Sequence, residues 1–198
     1  MISITAVVEG MSDEGAVLSI LRECDFAPSM FQGKRGRAEV LKKLAAYNQA
    51  ARLSPWFVLV DLDSDSCVVS STKQWLPNPS EFMIFRVAVT ELEAWLLADR
   101  QAIASFLGVA ESTIPRNPDF LTDPKQDLIN LARRSRKRDI REGLVPRPNS
   151  GTSIGPTYVS DIREFGRTMW RPRIAAEESP SLARCILRLD EFRQRLQG

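Results

Sequence analysis

The sequence feature that most constrains the fold is the stretch from Pro55 to Asp65, P-W-F-V-L-V-D-L-D-S-D. Five apolar residues, Trp56 to Val60, follow one another without interruption, and three carboxylates then come at alternate positions. An unbroken apolar run of this length is typical of a strand buried on both faces, as in a parallel sheet covered by helices. The sequence therefore predicts a central strand of an α/β fold at residues 56–61.

Asp61 and Asp63 come at the carboxyl end of this strand, the edge at which open α/β sheets bind their ligands. Because side chains alternate along an extended backbone, both carboxylates point to the same side. Two adjacent anions repel each other, so a site of this kind usually also contains a cation. The pattern indicates a metal or phosphate site, and the alternative interpretation is a polar turn after a core strand.

The hydrophobic pattern places further strands and helices around the central strand. Strands are expected at 2–8, around 28–31 and at 82–89, and helices at 13–23, at 37–52 and after Thr90, which is the expected N-cap. Residues 64–80 are expected to form a polar loop with one helical turn near Trp75. This order predicts an α/β fold over residues 1–100, a Rossmann-like core with a mainly parallel sheet of about four strands flanked by helices.

Residues 101–198 are expected to form a basic helical extension packed on this core. Helices are predicted at 101–108, 125–138, 158–170 and 181–196. The first 100 residues hold 10 basic and 13 acidic side chains, whereas residues 101–198 hold 17 basic and 12 acidic ones. An acidic half joined to a basic half suggests a metal site beside a surface that binds a polyanion. The alternative is a set of solvated helix faces of mixed charge.

Histidine is absent from the sequence, which removes the usual general base and histidine-based metal sites. Catalysis would then depend on carboxylates, lysine, arginine, a hydroxyl or a bound metal. Abundant Asp and Glu without histidine favour hard, oxygen-ligated cations, Mg²⁺ or Mn²⁺. No apolar run approaches the ~20 residues that span a membrane, and three widely spaced cysteines favour a reducing cytoplasm over a disulfide framework.

Carboxylates follow three of the predicted strands at the points where helices begin. The set consists of Glu9, Asp13, Asp61, Asp63, Glu91 and Glu93. Because the carboxyl ends of parallel strands meet at one edge of a sheet, all of these side chains can face the same crevice. Such a set can hold two hard cations about 4 Å apart, as in-line phosphoryl displacement requires.

Two of these acidic segments carry a resemblance to a known domain. V-V-E-G-M-S-D-E and the later V-D-L-D-S-D resemble the Toprim domain of topoisomerases, bacterial primases, small RNA-maturing nucleases and overcoming-lysogenization-defect nucleases. The segments V-T-E-L-E-A-W-L-L-A-D and S-P-S-L-A-R-C also resemble a bacterial family of stand-alone Toprim-like proteins, domain of unknown function 4276. The Toprim resemblance covers residues 1–100, and the family resemblance covers nearly the whole chain.

The resemblance implies a Rossmann-like fold and Mg²⁺- or Mn²⁺-dependent hydrolysis of nucleic-acid phosphodiester bonds. It implies metal binding by the six carboxylates, with Asp13 at the spacing of a second acidic residue in the overcoming-lysogenization-defect nucleases. The choice between Glu91 and Glu93 as a ligand stays open. Glu9 is also implied as a general acid/base, and Lys125 is the candidate for the basic residue that such nucleases use near the metals.

Two basic segments are candidates for binding DNA or RNA. They are the loop residues Lys34, Arg35 and Arg37, and the run Arg133, Arg134, Arg136, Lys137 and Arg138, which is expected to wind around the outward face of its helix. A plain turn and a solvated helix face are the respective alternatives. Topoisomerase chemistry is disfavoured, because the chain has only Tyr47 and Tyr158, and Tyr47 fits a helix core position.

Other functions stay open at this stage. Nuclease Toprim domains often work with an ATPase, and this chain has no ATP-binding motif, so a separate ATPase subunit is an expected alternative partner. The protein would then be a catalytically weak subunit that binds nucleic acid or that ATPase. Hydrolysis of nucleotides or small phosphoesters is a further alternative. The relatives point to phage defence, and the oligomeric state is left open.

Overall fold

The predicted central strand lies within a four-stranded, all-parallel sheet. The structure is a computed structural model that describes residues 1–62 and 68–198. Its strands are β1 (Ile2–Val8), β2 (Phe26–Gly33), β3 (Trp56–Asp61) and β4 (Met83–Ala88). They lie in the order β2-β1-β3-β4, and every neighbouring pair is parallel. The α/β, Rossmann-like prediction with about four strands is confirmed.

Helices flank the sheet along the whole chain. The α-helices are α1 (Asp13–Glu23), α2 (Arg37–Ala50), α3 (Val68–Trp75), α4 (Leu92–Ala98), α5 (Arg100–Leu107), α6 (Pro124–Arg133), α7 (Arg138–Leu144), α8 (Tyr158–Thr168), α9 (Pro172–Glu178) and α10 (Pro180–Gln197). Short 3-10 helices occupy Glu111–Thr113 and Pro118–Phe120. None of the helices within residues 1–62 and 68–198 is long and apolar enough to cross a membrane.

Strand β3 is apolar throughout because both of its faces are covered. Trp56, Val58 and Val60 pack into the core on the α2 side of the sheet, whereas Phe57 and Leu59 pack into the core on the opposite side. Successive side chains of a strand point to opposite faces, so each position of this strand faces a core. This double burial accounts for the lack of polar alternation in the central strand.

After β2, the chain crosses back over β1 and adds its remaining strands on the other side of β1. Strand β2 lies on one side of β1, whereas β3 and β4 lie on the other side. The carboxyl ends of β1 and β3 therefore border the crevice at which open α/β sheets bind ligands. Glu9 directly follows β1, and Asp61 is the last residue of β3, so both residues border this crevice.

Helix α4 begins differently from the prediction. Glu91, with extended backbone angles of φ −137° and ψ 160°, holds the N-cap position expected for Thr90. The N–H of Leu92 donates to Asp61 Oδ1 over 3.0 Å, so a strand-end carboxylate satisfies the first turn of the helix. Two other boundaries also shift: β2 extends beyond the predicted 28–31, and a two-turn helix, 68–75, replaces the single turn expected in a loop.

The predicted helix at 125–138 is wrong, because the chain forms α6 and α7 with a break between them. In the break, the buried Ser135 hydroxyl donates to the carbonyl of Leu107, and Arg136 N–H donates to the Gly108 carbonyl over 3.1 Å. These bonds hold the connection against the end of α5 and interrupt the helix. The basic run therefore does not wind around one helix face. The predicted helix 158–170 likewise ends at Thr168, and α9 follows as a separate helix.

Helices beyond residue 100 share the core with the first half of the chain. Leu128 of α6, Phe165 of α8 and Leu182 of α10 are buried in the same cluster as the β1 residues. Close packing of α1 against α8 depends on glycine: a Cβ at Gly15 would lie 1.8 Å from the Arg163 carbonyl oxygen. This close approach brings the amino end of α8 near the sheet edge where β1 ends.

Candidate functional site

The carboxylate of Glu9 is bonded to the backbone of Asp61 at the crevice between β1 and β3. Glu9 Oε1 accepts a hydrogen bond from the backbone N–H of Asp61 over 2.9 Å. Asp61 Oδ1 in turn accepts from Leu92 N–H at the start of α4 over 3.0 Å. The ends of β1 and β3 and the beginning of α4 are thereby held together, and both carboxylates are half-buried.

Asp13 lies beside this pair at the start of α1. Its Oδ2 accepts from Gly10 N–H over 2.7 Å, and its Oδ1 accepts from the Ser12 hydroxyl over 2.8 Å. Ser12 therefore orients Asp13 instead of capping α1, and it has no side-chain cap hydrogen bond. The tight turn at Gly10 brings the Asp13 carboxylate back toward the strand end.

Glu91 and Glu93 reach the site from the start of α4, and Lys125 contacts both. Lys125 Nζ lies 3.5 Å from Glu91 Oε1 and 3.4 Å from Glu93 Oε1. Glu91 Oε2 also accepts from the backbone N–H of Lys125 over 3.0 Å, which ties it to the start of α6. Glu93 is the deeper residue, 3% exposed, and Tyr158 OH donates to its Oε1 over 2.9 Å.

The carboxylates raise one another's pKa values. Burial first, and then the charges of Glu93, Asp13 and Glu9, raise the pKa of Asp61 well above its usual range, although Lys125 lowers it. Burial also raises the pKa of Asp13, against the opposing hydrogen bonds from Gly10 and Ser12. The charges that act on Asp61 are therefore the carboxylates at the end of β1 and at the starts of α1 and α4.

Lys125 partly compensates this negative charge. Burial raises the pKa values of Glu93 and Glu91, and the Lys125 ammonium opposes both shifts. Burial alone would lower the pKa of Lys125, but Glu93, Glu91 and Asp61 outweigh it and raise the pKa above the usual range. The site therefore contains five carboxylates and one lysine, and the raised pKa of Lys125 keeps it protonated.

This donor set suits a hard divalent cation, although it does not already enclose one. Carboxylate oxygens are the ligands that Mg²⁺ and Mn²⁺ prefer. Within residues 1–62 and 68–198, however, no three Asp, Glu or Cys side chains surround one metal position. Asp63, a predicted ligand, lies outside the described residues. Metal binding by Glu91 or Glu93 would require that carboxylate to turn away from Lys125 and toward the ion.

The predicted basic loop lies at the same edge, but its cations have structural partners. Gly33, at φ +88°, places Lys34 so that its N–H donates to the Val8 carbonyl over 2.9 Å. The Lys34 ammonium pairs with the buried carboxylate of Glu14. Arg37 donates to the carbonyl of Leu62 over 2.9 Å. Arg35, like Lys34, is exposed.

The predicted basic run lies farther from the carboxylates. Arg133 is eight residues after Lys125 on α6, which corresponds to about 12 Å along the helix. Lys137 Nζ donates to the carbonyls of Ser105 and Phe106, closing the end of α5, and Arg138 pairs with Glu142. The other members, Arg133, Arg134 and Arg136, are exposed.

The structure adds functional neighbours that the sequence did not assign to the site. Tyr158 is buried and bonded to Glu93, so it positions a carboxylate and is not an accessible nucleophile. Arg163 of α8 pairs with Glu14 over 2.7 Å, next to Asp13 in the chain. The sequence indicates that Tyr158 faces inward, because it lies at helical spacing with Ile162 and Phe165.

Comparisons with protein-family models, with curated proteins and with solved structures found no match to this chain.

Proposed function

We propose that the protein is a metal-dependent nuclease that hydrolyses nucleic-acid phosphodiester bonds at the carboxylate site. The observation that carries the proposal is the cluster of five carboxylates at the switch point of the sheet, four of them with raised pKa values. Excess negative charge in a buried crevice favours an added cation. Because the donors are all carboxylates, Mg²⁺ or Mn²⁺ is the cation that suits them best.

Glu9 and Asp61 are the first choice as ligands, since the Glu9 carboxylate is bonded to the backbone N–H of Asp61 at the crevice. Asp13 and Glu93 are the next, because both are near enough to raise the pKa of Asp61. Of the glutamate pair, we favour Glu93, since Glu91 is tied to the backbone of Lys125. When bound, the metal would activate water and stabilise charge on the phosphoryl group.

The neighbouring side chains have separate roles in this proposal. Lys125 is 37% exposed, so its ammonium can swing from the glutamates to a substrate phosphate at the mouth of the crevice. Tyr158 holds Glu93 in place through its hydroxyl. Glu9 is the candidate general acid/base, as the resemblance implies. The exposed cations Arg35, Arg133, Arg134 and Arg136 are candidates for contacts to the nucleic-acid backbone.

The proposal includes membership of the Toprim group. Glu9 and Gly10 directly follow β1, and Asp61 ends β3, which agrees with the positions that the resemblance implies. A cytoplasmic location and a role in phage defence belong to the same proposal.

A second candidate is a catalytically weak subunit that binds nucleic acid or a separate ATPase. The observation in its favour is that Lys125 contacts Glu91 and Glu93, while the described carboxylates do not already surround one metal position. Hydrolysis of nucleotides or small phosphoesters would use the same carboxylates without the basic surfaces.

Cleavage assays with matched variants test the proposal. Plasmid DNA, single-stranded DNA and RNA are incubated with Mg²⁺ or Mn²⁺ and with wild type, Asp61→Asn or Asp139→Asn. Asparagine at position 61 keeps the oxygen that accepts from Leu92 N–H, so the variant should fold. Asp139 is exposed and serves as the control for loss of one carboxylate. We expect metal-dependent cutting by wild type and Asp139→Asn only; equal cutting by Asp61→Asn would refute the proposal.

A further inference from the structure

A groove runs along the open edge of β4, between α3 and α10. It consists of three adjoining cavities of about 230, 500 and 620 Å³. Arg188 of α10 borders all three cavities, and Arg86 of β4 borders the first two. Because the cavities share these residues, they form one continuous depression, called here the edge groove.

The lining of the edge groove is strongly cationic. Lys73 comes from α3, Arg86 from β4, and Arg184 and Arg188 from α10. Arg188 pairs with Glu191 over 2.7 Å, but no carboxylate within residues 1–62 and 68–198 lies at ion-pair distance from the other three. The Nε of Arg86 is buried and has no hydrogen-bond partner in that part of the chain. Three cations without a carboxylate partner in the described parts of the chain favour an anionic ligand in this depression.

The edge itself does not favour an added peptide strand. The carbonyls of Phe82 and Ala88 accept hydrogen bonds from the β3 side of the strand. Because the backbone groups of successive residues in a strand point to opposite sides, the N–H and C=O groups of Phe85 and Val87 point toward the groove. A peptide strand would have to bond these groups. Phe85 and Val87 are, however, only 8% and 5% exposed. The accessible recognition groups are therefore the cationic side chains, and guanidinium groups bind phosphates bidentately.

We infer that the edge groove binds the phosphate backbone of a single nucleic-acid strand and guides it toward the carboxylate site. This inference rests on the proposed function. Arg86 precedes Ala88 by two residues, and Ala88 is the ladder partner of Asp61, so Arg86 lies about 7 Å along β4 from the level of Asp61. At its rim, Val69 and Leu187 are 63% and 56% exposed and offer apolar surface to bases. A positively charged groove that follows the phosphate backbone is the usual arrangement for single strands.

Fluorescence anisotropy tests this inference without cleavage, because the measurement is made in EDTA. The probes are labelled single-stranded DNA and RNA of about 12 nucleotides. The test variant combines Lys73→Ala, Arg184→Ala and Arg188→Ala. The control variant combines Lys42→Ala, Arg52→Ala and Arg116→Ala, which removes the same charge from exposed positions outside the edge groove.

Each phosphate contact contributes about 0.7 to the salt slope of single-strand binding. Loss of three contacts should therefore lower the slope by about 2 and weaken binding about 100-fold at about 0.1 M salt. The control variant should bind within about threefold of wild type.

Three results would overturn the inference: no oligonucleotide binding by wild type, equal weakening in both triple variants, or groove-dependent binding of polyglutamate without oligonucleotide binding. The failure of the proposed function is distinguishable from these results. Groove-dependent binding by a protein that cuts no substrate would refute the nuclease and leave the groove assignment intact. Cutting of a substrate without groove-dependent binding would refute the groove assignment and leave the nuclease proposal intact.

Discussion

Replacing Tyr158 by phenylalanine removes one buried hydrogen bond from the carboxylate site and leaves the ring in place. Tyr158 OH donates to Glu93 Oε1 over 2.9 Å, and the two residues are 1% and 3% exposed. A hydrogen bond to a charged group contributes about 1.5–3 kcal/mol to stability. Since water cannot easily replace the lost donor, we expect Tyr158→Phe to lower the free energy of unfolding by about 1.5–3 kcal/mol at neutral pH.

The assay is urea unfolding followed by tryptophan fluorescence, with Tyr47→Phe as the matched control. Tyr47 is also buried and stacks on Trp56 with ring centroids 5.5 Å apart. Its hydroxyl makes no hydrogen bond within residues 1–62 and 68–198. Removing this hydroxyl should therefore change the free energy of unfolding by less than about 0.5 kcal/mol.

The same pair of variants separates a positioning role from a purely structural one. If Tyr158 orients a metal ligand, Tyr158→Phe should also weaken Mn²⁺ binding by about 10- to 100-fold, whereas Tyr47→Phe should leave it unchanged. Equal losses of stability in the two variants, or unchanged Mn²⁺ affinity in Tyr158→Phe, would refute the role assigned to Tyr158.

Two further predictions concern charge at the carboxylate site in metal-free buffer. Asp61→Asn should be more stable than wild type at alkaline pH, because the raised pKa of Asp61 means that its charged form is destabilising in the folded state. The advantage should grow as the pH rises from about 4, the usual range of an aspartate, through the raised pKa of Asp61 in the folded state, and it should vanish in acid, where wild type is protonated. Urea unfolding at several pH values measures this advantage, and a difference independent of pH would contradict the prediction. Lys125→Met should lower the free energy of unfolding by about 1–3 kcal/mol, because Glu91 and Glu93 lose their cation. The same variant should bind Mn²⁺ more tightly in calorimetry, because the ammonium that competes with the metal is gone. Weaker Mn²⁺ binding in Lys125→Met would show that the lysine does not compete with the metal.

The central strand and the strand-end carboxylates were predictable from the sequence for a simple physical reason. A strand covered on both faces needs an apolar residue at every position, and Trp56–Val60 supply that pattern. Once the strands are assigned in a parallel order, their carboxyl ends must meet at one edge. Glu9, Asp61 and Glu93 therefore could be placed together without coordinates.

The remaining features depend on contacts between residues far apart in the chain. The break between α6 and α7 follows from the Ser135 bond to the Leu107 carbonyl, which no local pattern indicates. The bond from Tyr158 to Glu93 depends on the packing of α8 against α1 at Gly15. Local propensity predicts a continuous helix and an ordinary core tyrosine in these places, so tertiary contacts decide both.

The edge groove shows the same dependence on long-range packing. Its cations come from α3, β4 and α10 and form no run in the sequence. The consecutive basic residues at 33–37 and 133–138 were predicted to bind nucleic acid instead. Several of their side chains cap a helix or pair with carboxylates. A charge cluster that folding assembles from separate segments leaves no run of like charges in the sequence.

Isothermal titration calorimetry with Mn²⁺ tests most directly whether the carboxylate site holds a divalent cation. Wild type, Asp61→Asn and the surface control Asp139→Asn are titrated at neutral pH after removal of metals with EDTA. We expect wild type and Asp139→Asn to bind Mn²⁺ alike and Asp61→Asn to lose most of the binding heat. Absence of binding by wild type, or unchanged binding by Asp61→Asn, would contradict a metal site at the carboxyl edge of the sheet.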